Sequence, residues 1–540
     1  MSVKIHKNKK MQTSISKLRI TNRLTALLDA DPLGKADPFK VPETPHPASK
    51  TPRKVAKSHF SFAHPEQCPS PQLASIVSST ASLIGLDIKN QSAAERKELV
   101  DVLAGNACVP MSHPWALCYG GHQFGSWAGQ LGDGRAISMF ETQYNNAFYD
   151  LQLKGAGMTP YSRFADGYAV LRSSIREYLA AEAMHALGVP TSRSLALVLT
   201  PRLVQREVLE TGGIVARVAT CWLRFGSFEL PYSRDEFATL KKLADFTIEM
   251  YFTNIEPGNY IAWMQDVSDK TADMIASWQT VGFAHGVMNT DNMSILGKTI
   301  DYGPFQFLDI YDTEYICNHS DTEGRYKFSN QPNMGFWNIS RLLSAIQPLI
   351  QSDEESATAS MIKILKSFGP RVSKTYASLL CKKFGFQKPD AGTQEAVIQP
   401  FLNFMEINKM DYTLTMRSLS AFEITESLSD ESFGILKSYS HQPTPDFITN
   451  LNLWWTIYRK HSIPSRDRVM LMNQSNPKFI LRNHVVQRVI EESERGNYSG
   501  IDEYLKILQS PFDEWTSDVT ERFGKTVSKE AMDIRCSCSS

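Results

Sequence analysis

The chain has 540 residues, 42% hydrophobic and 21% charged, with 57 basic side chains balanced by 57 acidic ones. That length allows a large core divided over two lobes or domains. Zero net charge removes any global attraction to nucleic acid or anionic membrane, and no run approaches the roughly 18 to 20 apolar residues of a membrane helix, so a soluble chain is expected.

Residues 1–28 hold five lysines and two arginines, and no acid precedes Asp29. A basic, acid-free start favours a mitochondrial transit peptide, taken as residues 1–17, with a basic tail on a cytoplasmic protein as the alternative. Residues 18–75, proline-rich from 31 onward and weakly periodic, are expected as an extended wrapping segment. Globular patterning starts near Ile76 and gives a β-rich unit over 76–235. Ala136–Glu141 and Phe148–Lys154 predict a hairpin turned at Asn145-Asn146. Ser173–Leu187 predicts a helix with Ser173 or Ser174 as N-cap, ended by Gly188 and Pro190. Leu195–Leu199, Val204–Leu209 and Ile214–Thr220 predict strands, the last two turned at Thr211-Gly212-Gly213.

From 236 to 530 the texture is helical. Helices are expected over Phe237–Tyr251, Ser268–Phe283, Asn338–Leu349, Ala357–Phe368 and Lys374–Phe384, with a β-rich interval at Ser294–Leu308. Asp353-Glu354-Glu355 is a solvated linker or a helix start. The sequence thus predicts an α+β fold with a cleft between a β-rich and a helical half. Eight cysteines, at 68, 108, 118, 221, 317, 381, 536 and 538, are too sparse for a disulfide scaffold and lack the CxxC spacing of a zinc site. Cys536 and Cys538 fall in a terminal segment, 531–540, suited to a redox or tethering role.

The densest chemical signal runs from Tyr119 to Arg135, with six glycines between 120 and 134. Glycine lets backbone N–H groups approach an anion, and Arg135 adds a guanidinium at the exit. Tight turns need glycine too. The hairpin then ends at Lys154, an ammonium on an apolar strand that requires a counter-charge or an anionic ligand. Glu177 follows on a helix, placed either to pair with that lysine or to close a capping box with Ser174. The second cluster is His285–Asn292, followed by Ile300–Pro304. Asp291 supplies a carboxylate able to deprotonate a hydroxyl, and Asn292 and Asp301 supply hard oxygens for a divalent metal. Arg217, inside the apolar run Ile214–Ala219, and Arg224 need anions, from structural carboxylates or from a polyphosphate.

On Tyr119–Arg135, Gln152–Gly157, Ser173–Met184, His285–Asn292, Asp301–Pro304 and Cys317-Asn318-His319-Ser320-Asp321, the chain resembles the selenoprotein O family over nearly its whole length after about residue 17. The resemblance implies a two-lobed protein-kinase-like fold and transfer of AMP from ATP to Ser, Thr or Tyr hydroxyls of proteins, with ATP flipped so that its α-phosphate faces the acceptor. It implies Asp291 as general base, and Asn292 and Asp301 as ligands of Mg²⁺ or Mn²⁺. Gly132, Gly134, Arg135, Lys154, Asp166, Gly167, Arg217 and Arg224 would contact the nucleotide, with Glu177 pairing with Lys154. A Cys317–Cys538 disulfide follows from the same resemblance, with cysteine at 538 where several members carry selenocysteine and Cys536 as another possible partner. A monomer is expected, with no nucleic-acid partner. The rivals are a phosphotransferase moving the γ-phosphoryl group and an inactive nucleotide-binding scaffold.

Overall fold

Apolar alternation along the first half of the chain builds an antiparallel sheet in a computed structural model, which describes residues 10–33, 47–350, 353–388, 390–462 and 465–528. The strands in chain order are β1 (Phe60–Phe62), β2 (Gln72–Ile76), β3 (Trp115–Leu117), β4 (Gly120–Gln123), β5 (Ser126–Gln130), β6 (Ala136–Tyr144), β7 (Ala147–Lys154), β8 (Ala169–Val170), β9 (Arg193–Gln205) and β10 (Leu209–Ala219). The main sheet runs β1-β3-β6-β7-β10-β9-β2, with β8 on β10, while β4 and β5 form a separate hairpin. A third pair joins β11 (Phe283–Ala284) to β12 (Gln306–Phe307).

The predicted β6–β7 turn is present. Asn145 and Asn146 both take positive φ, 47° and 64°, as a two-residue hairpin turn of matching twist requires. The second predicted turn is displaced. β9 and β10 turn at 206–208, and Thr211-Gly212-Gly213 lie inside β10, where the register shifts between Thr211 and Gly212. These glycines serve close packing: a Cβ on Gly213 would come within 3.0 Å of Ser174, and one on Gly212 within 3.1 Å of the Arg202 carbonyl.

Helices α1 (Arg23–Leu27), α2 (Ser78–Leu83), α3 (Ala93–Leu103), α4 (Leu171–Ala186) and α5 (Phe225–Ser233) intersperse the strands. The chain then becomes mainly helical with α6 (Phe237–Tyr251), α7 (Tyr260–Val281), α8 (Gln331–Ile346), α9 (Glu354–Lys383) and shorter helices as far as Phe523. An α+β architecture is therefore present, but several predicted boundaries move. α7 and α8 start earlier than patterned. The predicted pair 357–368 and 374–384 is one helix carrying Pro370, because Ile364, Phe368, Val372 and Leu380 continue one buried stripe across the proline. Asp353 accepts the Ser356 N–H, so the acidic run is a helix start. Neither Ser173 nor Ser174 is an N-cap: both lie inside α4 and donate to the Val170 carbonyl. The interval 294–308 contains only β12 and single bridges.

Residues 18–75 contribute α1, β1 and β2 and are not wholly extended. Within the expected 1–17 segment, residues 1–9 lie outside the described residues. Ile15 is fully buried, and Ser14 and Ser16 both donate to Glu98 of α3. The core therefore includes Ile15. No helix among the described residues is long and apolar enough to cross a membrane.

Alternation on β7 sends Leu151 and Leu153 to the core and Gln152 and Lys154 to the opposite face. Arg217 of β10 lies in register with Gln152, so it shares that face, over which α4 packs. At the other end, Arg482 is 1% exposed and clamps the chain leaving β12: it donates to Asp309 at 2.8 Å and to Asp411 at 2.8 and 3.1 Å. Arg482→Met would leave two buried carboxylates without their cation, a loss of about 3–5 kcal/mol. A clear fall in thermal midpoint by calorimetry is expected, and an unchanged midpoint would contradict this role for the clamp.

Candidate active site

Lys154 ends β7 with its ammonium in the interior, and burial of a lone ammonium is costly without a counter-charge. Glu177 Oε2 supplies it at 2.5 Å, while Oε1 of the same carboxylate accepts Arg217 at 2.7 Å. This settles the choice left open by the sequence. Glu177 faces the sheet, and no capping box forms at the start of α4. Asp301 joins the network with longer contacts: Oδ1 receives Lys154 at 3.1 Å and Arg217 at 3.2 Å, and Oδ2 receives Arg224 at 3.1 Å. Arg224 also donates to the Asp291 carbonyl at 2.8 Å, lies 3.7 Å from Asp133 and stacks 4.4 Å from the Tyr119 ring centre.

Three cations thus meet Glu177, Asp301 and Asp133. Burial alone would raise the Asp301 carboxyl, but Lys154, Arg224 and Arg217 outweigh it and hold the group well below the usual carboxylate range. Asp133 goes the other way, raised by burial that Arg224 only partly offsets.

Asp291 sits in the short turn Thr290–Asn292. Burial lifts its carboxyl to about 7, against the pull of Arg224 and of a hydrogen bond from Gln123. Gln123 Nε2 donates to Oδ2 at 3.3 Å, and the buried Oδ1 has no hydrogen-bond partner among the described residues. Gly121 passes so close that a Cβ there would lie 2.8 Å from Oδ1 and 2.9 Å from the Asp291 Cβ. Asn292 donates its amide N–H to the Val287 carbonyl at 3.0 Å, which leaves its side-chain oxygen for the cleft.

The Gly-rich stretch is therefore two devices. Its first part, the β4–β5 hairpin, covers the Asn289–Asn292 loop: His122 N–H donates to Thr290 Oγ1 at 2.7 Å and Phe124 N–H to Asn289 Oδ1 at 3.2 Å. Its second part, Leu131–Arg135, borders a cleft of about 460 Å³. Gly132, with φ of +87°, packs against Tyr161 where a Cβ would meet the ring at 2.4 Å.

Gly132, Gly134, Arg135, Lys154, Asp166 and Gly167 line this cleft, as do Arg217, Asp291, Asn292 and Asp301. Glu177 and Arg224 lie behind the lining, and Arg224, 1% exposed, reaches the cleft through Asp301. Cys317 is buried with its thiol toward the Ala284 carbonyl at 3.5 Å, while Cys536 and Cys538 lie outside the described residues. Among the described residues no group of three or more His, Cys, Asp or Glu could by itself hold a metal ion. Asn292 and Asp301 are instead suited to a divalent ion that takes its other ligands from phosphate and water.

Three residues escaped notice as site members. Gln123 and His285 stand within the motif stretches, but nothing in the sequence shows that Gln123 reaches Asp291 or that His285 lines the cleft. His285 is held neutral by burial, at about 4, and its Nε2 has no hydrogen-bond partner. Arg206, at the β9–β10 turn, pairs with Asp166 at 2.8 Å and also lines the cleft. Its placement depends on a turn that the glycines 212 and 213 made easy to misassign.

Residues 50–509 match the family described as "Protein adenylyltransferase SelO". A protein nucleotidyltransferase YdiU of Flavobacterium johnsoniae is 40% identical over 514 residues, covering 92% of this chain and 94% of that protein. The proteins of the same name from Cupriavidus pinatubonensis (38%, covering 89% and 94%) and Variovorax paradoxus (44%, covering 76% and 81%) are similar to it as well.

If Glu177 is the anchor of the network, Glu177→Gln leaves Lys154 and Arg217 sharing only Asp301. A destabilisation of about 3 kcal/mol is expected, from the cost of removing one partner of a buried ion pair. Differential scanning calorimetry would read it as a lowered midpoint, and wild-type stability would show that Glu177 does not anchor the cluster.

Proposed function

The chain belongs to the SelO protein adenylyltransferase family, and on that basis we propose that it transfers AMP from ATP to hydroxyl groups of protein substrates, releasing diphosphate. The observation that carries the reading is one cleft that brings Lys154, Arg217 and Asp301 of a buried charge cluster next to Asp291, a carboxylate that burial raises above its usual range. A base of that strength is matched to proton abstraction near neutral pH.

In this reading the acceptor hydroxyl donates to the Asp291 carboxylate where it borders the cleft, and the proton passes there as the acceptor oxygen attacks the α-phosphorus and diphosphate leaves. Gln123 donates to Oδ2 and so helps to orient the carboxylate. Lys154 and Arg217 are fixed by Glu177 and bind the phosphates. Asn292 and Asp301 would hold a divalent metal, Mg²⁺ or Mn²⁺. The fit rests on the ionised state of Asp301, on its longer contacts, and on Asn292, whose amide N–H is used on Val287 while the residue lines the cleft. Such an ion supplies charge neutralisation on the phosphates. Gly132, Gly134, Arg135, Asp166 and Gly167 complete the nucleotide site, with Arg224 acting from behind.

The proposal extends to a two-lobed kinase-like arrangement, to Ser, Thr and Tyr as acceptors, and to a monomer. The basic N-terminus supports a mitochondrial address, compatible with a buried Ile15 if cleavage precedes that residue. A Cys317–Cys538 disulfide is part of the same reading. It requires the buried Cys317 thiol to become accessible, so tryptic mapping of oxidised protein with both thiols alkylated would remove it.

ATP labelled at the α- or at the γ-phosphate distinguishes the reactions. Label from the α-position is expected in protein, and lost in Asp301→Ala; transfer only from the γ-position would establish a phosphotransferase instead. Asp291→Asn should lower the transfer rate by about 10²–10⁴-fold, the span of general-base catalysis, while affinity for a nucleotide analogue stays near wild type. A variant retaining full rate would remove Asp291 as the base.

A further inference from the structure

The β4–β5 hairpin has a side that the transfer chemistry does not use. Its turn is Phe124-Gly125, with φ of +50° and +87°. A two-residue turn of this kind favours Asn-Gly, and a bulky aromatic at positive φ is strained. The strain is held by two acceptors for the Phe124 N–H, Asn289 Oδ1 at 3.2 Å and Tyr326 Oη at 3.0 Å. The result is an aromatic ring, 42% exposed, next to the residue that orients Asp291. Trp127, on the returning strand, is 38% exposed and packs on His122, which also meets Trp337 edge-on.

Under this shelf lies Arg325. The positive φ at Gly125 favours glycine, and its lack of a side chain lets the turn rest against the guanidinium, 3.2 Å from where a Cβ would stand. The guanidinium stands 4.8 Å from the Trp337 ring centre, and that of Arg341 stands 5.4 Å from the same ring. Neither arginine has a carboxylate within ion-pair distance among the described residues, and the Nε of each is buried without a hydrogen-bond partner. The nearby acids are engaged: Asp321 accepts the backbone N–H groups of Arg325 and Tyr326, and Glu229 holds His122 at 2.7 Å. Two unmatched guanidinium groups on one tryptophan, beside exposed aromatics, leave an anionic partner unsupplied.

We propose that Phe124, Trp127, Trp337, Arg325 and Arg341 form the acceptor-docking surface, and that it selects polypeptide segments carrying a Glu or Asp close to the hydroxyl to be modified. Gln123 bonds Asp291, Phe124 and Gly125 follow it at the hairpin turn, and Arg325 lies against Gly125, so the shelf adjoins the cleft edge where an acceptor would meet Asp291. Guanidinium groups bind carboxylates in bidentate fashion, and aromatic neighbours remove competing water. This inference rests on the protein-hydroxyl reading above and names the acceptor class for it.

The test uses the full chain, ATP labelled at the α-phosphate, and synthetic peptides with one serine flanked by Glu, by Gln or by Lys. The Glu peptide should exceed the Lys peptide about tenfold in kcat/KM, with the preference shrinking as salt rises. Arg325→Glu should invert the order, making the Lys peptide the better acceptor while KM for ATP is unchanged, and Arg325→Gln should flatten it. The inversion is a gain for one peptide, which a misfolded variant would not give. Fluorescence anisotropy of the same peptides on Asp291→Asn should show the same order of affinity without turnover. Labelled peptides with no dependence on flanking charge, or an order unaltered in Arg325→Glu, would overturn the docking surface alone. Absence of α-label from every acceptor, proteins included, would overturn the reaction and this inference with it.

Discussion

Lys154, Arg217 and Arg224 are buried within reach of one carboxylate, Asp301, and three cations cannot share an interior without matching anions. The remaining matches come from far apart in the chain: Glu177 from α4, and Asp133 from the loop after β5. Much of the architecture near the cleft follows from meeting this condition. β7 and β10 must pair in the register that puts Gln152 beside Arg217, and α4 must lie across their shared face. The loop after Asn292 must return Asp301 to the same point.

The network is graded. Glu177 binds its two cations at 2.5 and 2.7 Å, whereas Asp301 binds its three at 3.1 to 3.2 Å. The tighter carboxylate behaves as scaffold and the looser one as a group able to take another ligand. Asp291 is tied to the same cluster through Arg224, which holds its backbone carbonyl. Its carboxyl meanwhile is largely buried under Gly121 at the border of the cleft. One arginine thus couples the position of the Asp291 loop to that of the Asp301 carboxylate.

How much of this was legible depended on whether a residue had one physical use or two. Lys154 could be singled out because charge on an apolar strand needs a counter-charge; Asp291, Asn292 and Asp301, each alone more often a turn residue, stood out only as ordered clusters downstream of it. Asn145-Asn146 was legible because positive φ at two successive positions favours that residue type. Glu177 fitted a cap and an ion pair equally well, and only the packing of α4 on the sheet decided. Gly212 and Gly213 read as a turn but serve close packing inside β10. Pro370 read as a break, yet a continuous buried stripe carries α9 through it. Gln123 and Arg206 depend on which loops reach the cleft, a tertiary fact with no local signature.

The central claim is that the charge cluster holds a nucleotide with its α-phosphorus, and not its γ-phosphorus, toward Asp291. A crystal structure with a non-hydrolysable ATP analogue and a divalent metal measures this directly. The expected result is the α-phosphorus on the Asp291 side of the cleft, with the outer phosphates among Lys154 and Arg217. A γ-phosphorus facing Asp291, with the α-phosphate deeper in the cleft, would contradict it.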